Sequence, residues 1–530
     1  MALSLTAEQK NISSLFYNED QYVIPEFQRP YCWTYDTSYQ LYTDIMTCCK
    51  TGEDFFVGNF VMARSDDHPN SPQVVDGQQR IITLWLWMKS LMLLVPSMGK
   101  LQEGVGLKTW DAETDYVPKV KSNVVDSTDP DQLSEIWRLD LNGVEKLLEN
   151  RKKFKDSLVL SNFLDIFSWL KSSFAFVAEE EKRRFVKYFI YKVYLLPIEL
   201  KGKTEDEANE RALMIFETIN NRGQNLEDAD IFKAKLYNKA VSVGKKRDFL
   251  DRWICIKEMC LALEISIEDL FKYYSHIIRG KKGITTFEAS LRDFFTKGPN
   301  APIIIADYEQ VTDELAHVLE VLQVIDDDVH ERTDLAMWLK ILKMYSNNLP
   351  MFAVASYLYI NGKDDGYIKF LKLLTRVCYS YGPSMTIKFT IYNIIADIFS
   401  GTIKEKDSID YCVPNFEMLN SRYFLRKGII LLTYYLVVQH PVLGNPSVDR
   451  ILRLSPKLGH VDDSARNLVS QLGNFFVIED KNEMVENEYN HLYFEFKNKN
   501  IKKGNDLLSM IKDRTQTLMI VLFDFLSNKI

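Results

Sequence analysis

The sequence predicts an α-rich α+β protein, with a small mixed α/β unit at the front, a helical middle and a small α+β unit at the carboxyl end. Three observations carry this. Short β-like runs, "QYVIPEF", "FFVGNFVMA" and "PQVVDG", crowd into residues 10–95 beside one strongly apolar helix candidate, 81–95. From about 135 to 435, apolar residues recur at three- and four-residue intervals, as in "DSLVLSNFLDIFSWLKSSF" and "TDLAMWLKILKMYSNNL". Near His440 the texture changes again: "HPVLGNPSVDRILRLSPK" opens a segment that ends in a basic, helical tail.

Between these zones, the stretch from Gln102 to about Gln132 is rich in Asp, Ser, Thr and Pro and reads as a surface insertion or hinge. One further β-like run, "YKVYLLPIEL" (191–200), lies within the helical zone. A chain of 530 residues has material for two to four domains. With 31 Phe and 27 Tyr it can bury large cores, which argues against disorder over most of its length.

Charge and cysteine content exclude several classes. A formal charge of -8 rules out a globally basic nucleic-acid binder, though not a local basic groove. Seven cysteines, an odd number without a Cys-x-x-Cys pair, suggest reduced thiols in a cytoplasm, not a disulfide framework or a thiolate zinc site. The amino terminus has no basic start followed by an apolar core, and the runs "IITLWLWM" and "GIILLTYYLVV" are too short to span a bilayer. A soluble, cytoplasmic protein without a membrane partner is expected.

Function is written most densely in "VVDGQQR". It reads as a strand end, a turn and a helix start. Gly77 permits close backbone approach or a positive φ. The first helical turn leaves N–H groups pointing outward, where the helix dipole favours an anion. Arg80 can grip phosphate in a bidentate manner. Gln78 and Gln79 offer donors and acceptors, and Asp76 can hold a magnesium ion, a water or the Arg80 side chain. The plain alternative is that Asp76 caps the helix and pairs with Arg80 on the surface.

Two further stretches bear on that choice. In "IPEFQRPYCW" (24–33), Pro25 and Pro30 stiffen an extended segment, and Gln28 and Arg29 stand between Phe27, Tyr31 and Trp33. An arginine so placed can stack on a base or hold a phosphate, or simply be solvated while the aromatics anchor the loop. In "FETINNRGQNLEDADIFKAKLYN" (216–238), a helix, a polar loop and a second helix follow one another. Gly223 supplies the stop, Asn225 and Asp228 suggest a cap, and Asp230 and Lys233 share one helix face. Capping and an ion pair would explain this stretch taken alone.

Together, "IPEFQRPYCW", "FFVGNFVM", "VVDGQQRIITL" and "FETINNRGQNLEDADIFKAKLY" resemble, in order and spacing, the ParB-like nucleotide-binding domain of the GmrSD restriction endonucleases, which SspE-type phage-defence proteins also carry. The resemblance covers about residues 10–240 directly. It implies a ParB-like front domain over 10–240 with a helical insertion at about 100–190, a helical domain over 241–435 and a carboxyl-terminal domain over 436–530. It further implies a bacterial anti-phage role: the front domain binds and hydrolyses a nucleoside triphosphate, with Mg2+, and is coupled to cleavage of foreign or modified DNA. GTP, CTP, UTP and ATP are all open, and so are a partner protein and a homo-oligomer.

Carried over by position, Asp76, Gln79 and Arg80 are the expected catalytic residues. Gln28, Arg29, Gly77, Gln78, Asn220, Arg222 and Gly223 are the expected nucleotide-binding ones. Many relatives end in a His-Asn-His-type nuclease domain. Here Asp449, Asn474, Asn487 and Lys497 fit that pattern, but Arg450 stands where the histidine should be, and three extra residues precede Pro456. Arginine cannot serve as the general base that activates water. The resemblance thus implies a degenerate nuclease fold, and a catalytically dead, nucleotide-gated sensor or regulatory subunit is the alternative reading.

Overall fold

A computed structural model describes residues 5–108, 116–125, 127–154, 157–205, 207–209, 211–212, 228–381, 385–405, 426–442, 444, 446–451, 468–479, 485–498 and 505–529. The chain divides into two compact units, Met1–Ile254 and Cys255–Ile530. The expected α-rich α+β class is what is observed. The helical zone from about 135 to 435 is divided between them, and its part from Cys255 onward falls within the same unit as the carboxyl-terminal segment.

The front unit is built on a seven-stranded mixed sheet. Its strands are β1 (Leu5–Ala7), β2 (Lys10–Asn11), β3 (Tyr22–Ile24), β4 (Phe55–Ser65), β5 (Gln73–Asp76), β6 (Val120–Ser122) and β7 (Val193–Gly202). The spatial order is β1-β7-β4-β5-β3-β6, with β2 also pairing β7. At its centre β4 runs parallel to β7, from Phe55 opposite Val193 to Ser65 opposite Gly202, and antiparallel to β5. The three β-like runs near the front and the run at 191–200 are thus all strands of one sheet.

Helix α1 (Gln78–Leu94) follows β5 directly and is buried on nearly every side from Ile81 to Leu91. An all-round apolar helix of this kind needs cover on every face. Trp87 stacks on Phe189 at 5.3 Å, and the Trp85 indole N–H donates to the Val105 carbonyl at 2.8 Å. The cover includes Phe163, Phe167 and Leu170 of α2 (Leu158–Ser173) and Phe185 and Phe189 of α3 (Glu179–Lys192). Truncating a ring as buried as Trp87 costs about 3–5 kcal/mol.

Two expectations need correction. The helix expected over 81–95 begins three residues earlier, because Gly77 turns the chain so sharply that the polar residues 78–80 form its first turn. The stretch 102–132, expected as a surface insertion or hinge, instead contributes β6, which pairs parallel with β3 at the sheet edge. Its neighbour Lys119 is fully buried, its ammonium bonded to the backbone carbonyls of Asn18 and Asp20. The alternation Val120, Lys121, Ser122 in that stretch is a strand pattern hidden among turn formers.

In the second unit, helices dominate. A short antiparallel ladder joins β8 (Ser447–Arg450) to β9 (Phe475–Ile478). A small core of Ile451, Phe476, Leu492, Leu507 and Ile511 lies beside that ladder. Among the described residues no helix is long and apolar enough to cross a membrane.

Candidate functional site

The site begins with two irregular glycines. β4 bulges between Phe56 and Gly58, and Gly58 has φ +131°. A Cβ at Gly58 would lie 3.3 Å from Nε of Arg80. At the end of β5, Gly77 has φ +80°, and a Cβ there would lie 2.5 Å from Cβ of Phe60. Both conditions, left-handed backbone and lack of room, select glycine at position 77. The turn is therefore pressed against β4, in the interior of the sheet.

Three glutamines bind the 25–33 segment to this turn; expected to be extended, the segment instead turns at 26–28, where the Gln28 N–H donates to the Pro25 carbonyl at 3.1 Å. Gln28 Nε2 donates to the Val75 carbonyl at 2.8 Å, and Gln78 Nε2 to the Arg29 carbonyl at 3.0 Å. Gln79 uses both ends of its amide: Nε2 donates to the Pro30 carbonyl at 3.2 Å, and Oε1 accepts the Cys32 N–H at 2.8 Å. The Tyr31 hydroxyl shares a 2.7 Å hydrogen bond with Thr83 one turn further along α1. Gln78 and Gln79 are buried. The structure thus gives Gln79, expected as catalytic, and Gln78 and Gln28, expected as nucleotide ligands, a positioning use: they fix the place of Arg29.

The charged residues are what this scaffold leaves facing outward. Arg29 is about one-third exposed, and its Nε lies 3.9 Å from Asp230 Oδ2 on α4 (Asp228–Ser242). Arg80 is half-buried and donates from Nη1 to the Asn59 carbonyl at 2.6 Å. Asp76 is half-buried beside both. Burial pushes its carboxyl above the ordinary range, while Arg80, the Gly77 N–H and Arg29 pull the other way. Among the described residues the first turn of α1 has no acidic side chain, and Gly77 gives it no side-chain cap.

Chemically, two guanidinium groups and an uncapped helix start converge near one carboxylate whose proton affinity is raised. Such a set can hold phosphate oxygens and orient a water. Among the described residues no group of three His, Cys, Asp or Glu side chains could by itself hold a metal. A magnesium ion here would rely on Asp76 together with ligand phosphates, which is how this ion commonly binds.

Of the expected site residues, Gln28, Arg29, Asp76, Gly77, Gln78, Gln79 and Arg80 are brought together. Asn220, Arg222 and Gly223 lie outside the described residues. Gly58, Asn59 and Asp230 were not singled out as site residues. A Gly-Asn pair inside an otherwise apolar strand was the available signal for the first two. For Asp230, its place on a helix face was legible, but its partner Arg29 lies two hundred residues away in sequence.

Residues 12–237 match the family model of the GmrSD restriction endonuclease, N-terminal domain. The match supports a GmrSD-like front domain. It takes in the 24–33 segment, the 76–80 turn, the β4 bulge and Asp230, so the clustered residues all lie within the GmrSD-like stretch. A search of curated proteins finds no match.

The carboxyl-terminal candidates have a different character. Asn474 is fully buried and donates to the Val469 carbonyl at 3.0 Å. Asn487 donates to the Tyr434 hydroxyl at 2.7 Å and accepts the Asn490 N–H at 2.9 Å. The Asp449 carboxylate accepts the Arg450 N–H at 2.8 Å, and the Arg450 guanidinium lies over the Phe475 ring at 5.5 Å. The Lys497 ammonium sits 5.9 Å from the Tyr493 ring. His440 and His491 are exposed, and His460 lies outside the described residues.

Proposed function

We propose that this protein is a GmrSD-like anti-phage defence factor whose front unit binds and hydrolyses a nucleoside triphosphate, and so controls recognition or cleavage of foreign or modified DNA. The observation that carries the reading is the convergence of Arg29 and Arg80 on Asp76 at the uncapped start of α1. The GmrSD N-terminal match supplies the restriction context and DNA as the substrate class.

In this reading Arg80 and the first-turn N–H groups hold the terminal phosphates. Arg29, held by the three glutamines, closes over them. Asp76, with its raised proton affinity, accepts a proton from the attacking water, and it is the side chain that would help hold a magnesium ion beside the phosphates. Arg29 and Arg80 then meet the charge that develops on the transferred group.

The test is phosphate release by the full chain with Mg2+ and each of GTP, CTP, UTP and ATP in turn. Arg80→Ala is expected to lower the rate about 100-fold or more, as loss of a transition-state charge contact does, with the circular dichroism spectrum unchanged. Full hydrolysis in that variant would remove the assignment.

A second reading is favoured by one feature of the rear unit. By the resemblance of this segment to a His-Asn-His-type nuclease, Arg450 stands where a general base is expected, and Asn474 is buried and bonded to backbone. That supports a regulatory subunit that gates a separate nuclease. DNA nicking by the purified protein with magnesium or manganese, with and without triphosphate, separates the two readings. Cleavage by this chain alone would refute the second.

A further inference from the structure

Within the second unit, a pocket of about 220 Å³ opens between α5 (Ile267–Lys281), the segment 284–290 and α6 (Leu349–Asn361). Its wall carries a buried guanidinium that the functional reading above does not use. Arg279 is only 4% exposed. It donates to the Thr286 carbonyl and lies under the Tyr392 ring at 4.7 Å, and its Nε has no partner. Tyr392 belongs to α7 (Met385–Phe399). Both of these partners are neutral.

The other charges of the pocket are already matched. Glu288 Oε1 lies 3.0 Å from His276 Nε2, and Glu288 Oε2 lies 2.7 Å from Lys388 Nζ. Burial alone would raise this carboxyl, but the hydrogen bonds from His276 and Lys388 outweigh it and hold the group well below the usual carboxylate range. His276 Nδ1 faces the Lys272 carbonyl at 2.9 Å, and its ring stacks on Phe352 at 4.1 Å. The Lys272 ammonium is held by Asp269 at 2.8 Å. Glu288 is thus held by His276 and by the Lys388 ammonium, whereas Arg279 is buried with no carboxylate paired to it.

A buried charge left in that state is strongly unfavourable unless something compensates it. We propose that the pocket is a second ligand site, separate from the front turn, which takes a small organic oxyanion. The carboxylate or phosphate-ester group would pair with Arg279, and a flat apolar body would lie against Leu291, Phe294 and Phe352. The volume falls below the range of about 300–1,000 Å³ usual for drug-sized ligands, which selects a small molecule over a nucleoside triphosphate.

The experiment uses the full chain carrying Arg80→Ala, so that the front turn does not contribute and the outcome does not depend on its function. Titration calorimetry with benzoate, phenyl phosphate and inorganic phosphate tells carboxylate from phosphate and tests the apolar body. Benzoate or phenyl phosphate should bind at least tenfold more tightly than inorganic phosphate. Arg279→Gln should abolish that binding. Because Arg279 is buried and its replacement endangers the fold, Ala289→Trp is the second variant: Ala289 is exposed at the rim and lines the pocket. It should block binding at least tenfold with an unchanged melting temperature. Failure of both aromatic anions to bind, or affinity unaltered by Ala289→Trp, would overturn the proposal, as would inorganic phosphate binding as tightly as phenyl phosphate.

Discussion

The front turn and the carboxyl-terminal asparagine cluster look alike as strings of letters, since each mixes amides with basic residues beside apolar runs. In three dimensions they diverge. At the front, the amide N–H groups of Gln28, Gln78 and Gln79 are spent on backbone, and the charges of Arg29, Arg80 and Asp76 remain half-exposed. At the rear, the amides of Asn474, Asn487 and Asn490 are likewise spent on internal bonds. Arg514 is spent too, donating to the carbonyls of Gly473, Phe475 and Tyr489. An amide in a motif can serve the scaffold. Chemistry needs charged groups that the scaffold has left partly exposed.

That contrast can be broken most directly by Arg80→Ala beside Asn474→Ala. The first should remove triphosphate hydrolysis without unfolding the chain. The second should do the reverse. Loss of the buried Asn474 amide, with the Val469 carbonyl left unpaired, should cost about 1–3 kcal/mol and lower the melting temperature while hydrolysis persists. Equal loss of hydrolysis in both variants would show that the two regions are not separable in this way. It follows that lost DNA cleavage in Asn474→Ala would be no proof of a nuclease role for that residue.

Gln79→Ala sharpens the comparison within the front turn. If Gln79 only holds the 30–32 backbone, its removal should cut the hydrolysis rate about tenfold through a misplaced Arg29, and Gln79→Glu should restore little, because the Pro30 carbonyl then meets no donor. A loss as complete as that of Arg80→Ala would mean that Gln79 touches the reacting groups. The smallest effect is expected from Asp76→Asn on stability. A carboxyl whose folded pKa is raised contributes most below its unfolded pKa, and that contribution falls as pH rises through the folded value. At neutral pH Asp76 thus costs stability, and Asp76→Asn should melt slightly higher at pH 7, the gap closing toward pH 4. A lower melting temperature at pH 7 would show that the arginines outweigh burial.

How far the sequence reached depended on the distance over which each signal acts. Strands β3, β4, β5 and β7 and the buried helix behind the turn were legible, because alternation and periodicity are local. So was the turn itself, whose glycine and charged neighbours occupy five consecutive positions. The strand Val120–Ser122 was missed because it sits among Asp, Ser and Pro residues that read as a loop. The true work of the glutamines was also beyond reach. Whether Gln79 faces a phosphate or the Cys32 N–H depends on where a segment some fifty residues earlier comes to rest. Arg279 is harder still: nothing about "HIIRGKKG" tells that its guanidinium is buried without an anion.

The central pairing of β4 with β7 joins segments about 140 residues apart in sequence, and closing so long a loop is entropically slow. During synthesis, the helices between them can form early, but the sheet cannot close until Gly202 has emerged, and Asp230 comes later still. The Arg80 side chain is then in place well before the bulged strand that braces it has its partner. A ribosome-bound chain would accordingly assemble the candidate site late in the folding of its front unit, though before the second unit, Cys255–Ile530, has been made. Fragments ending before Val193 should yield helical protein that lacks the hydrolysis proposed for the full chain.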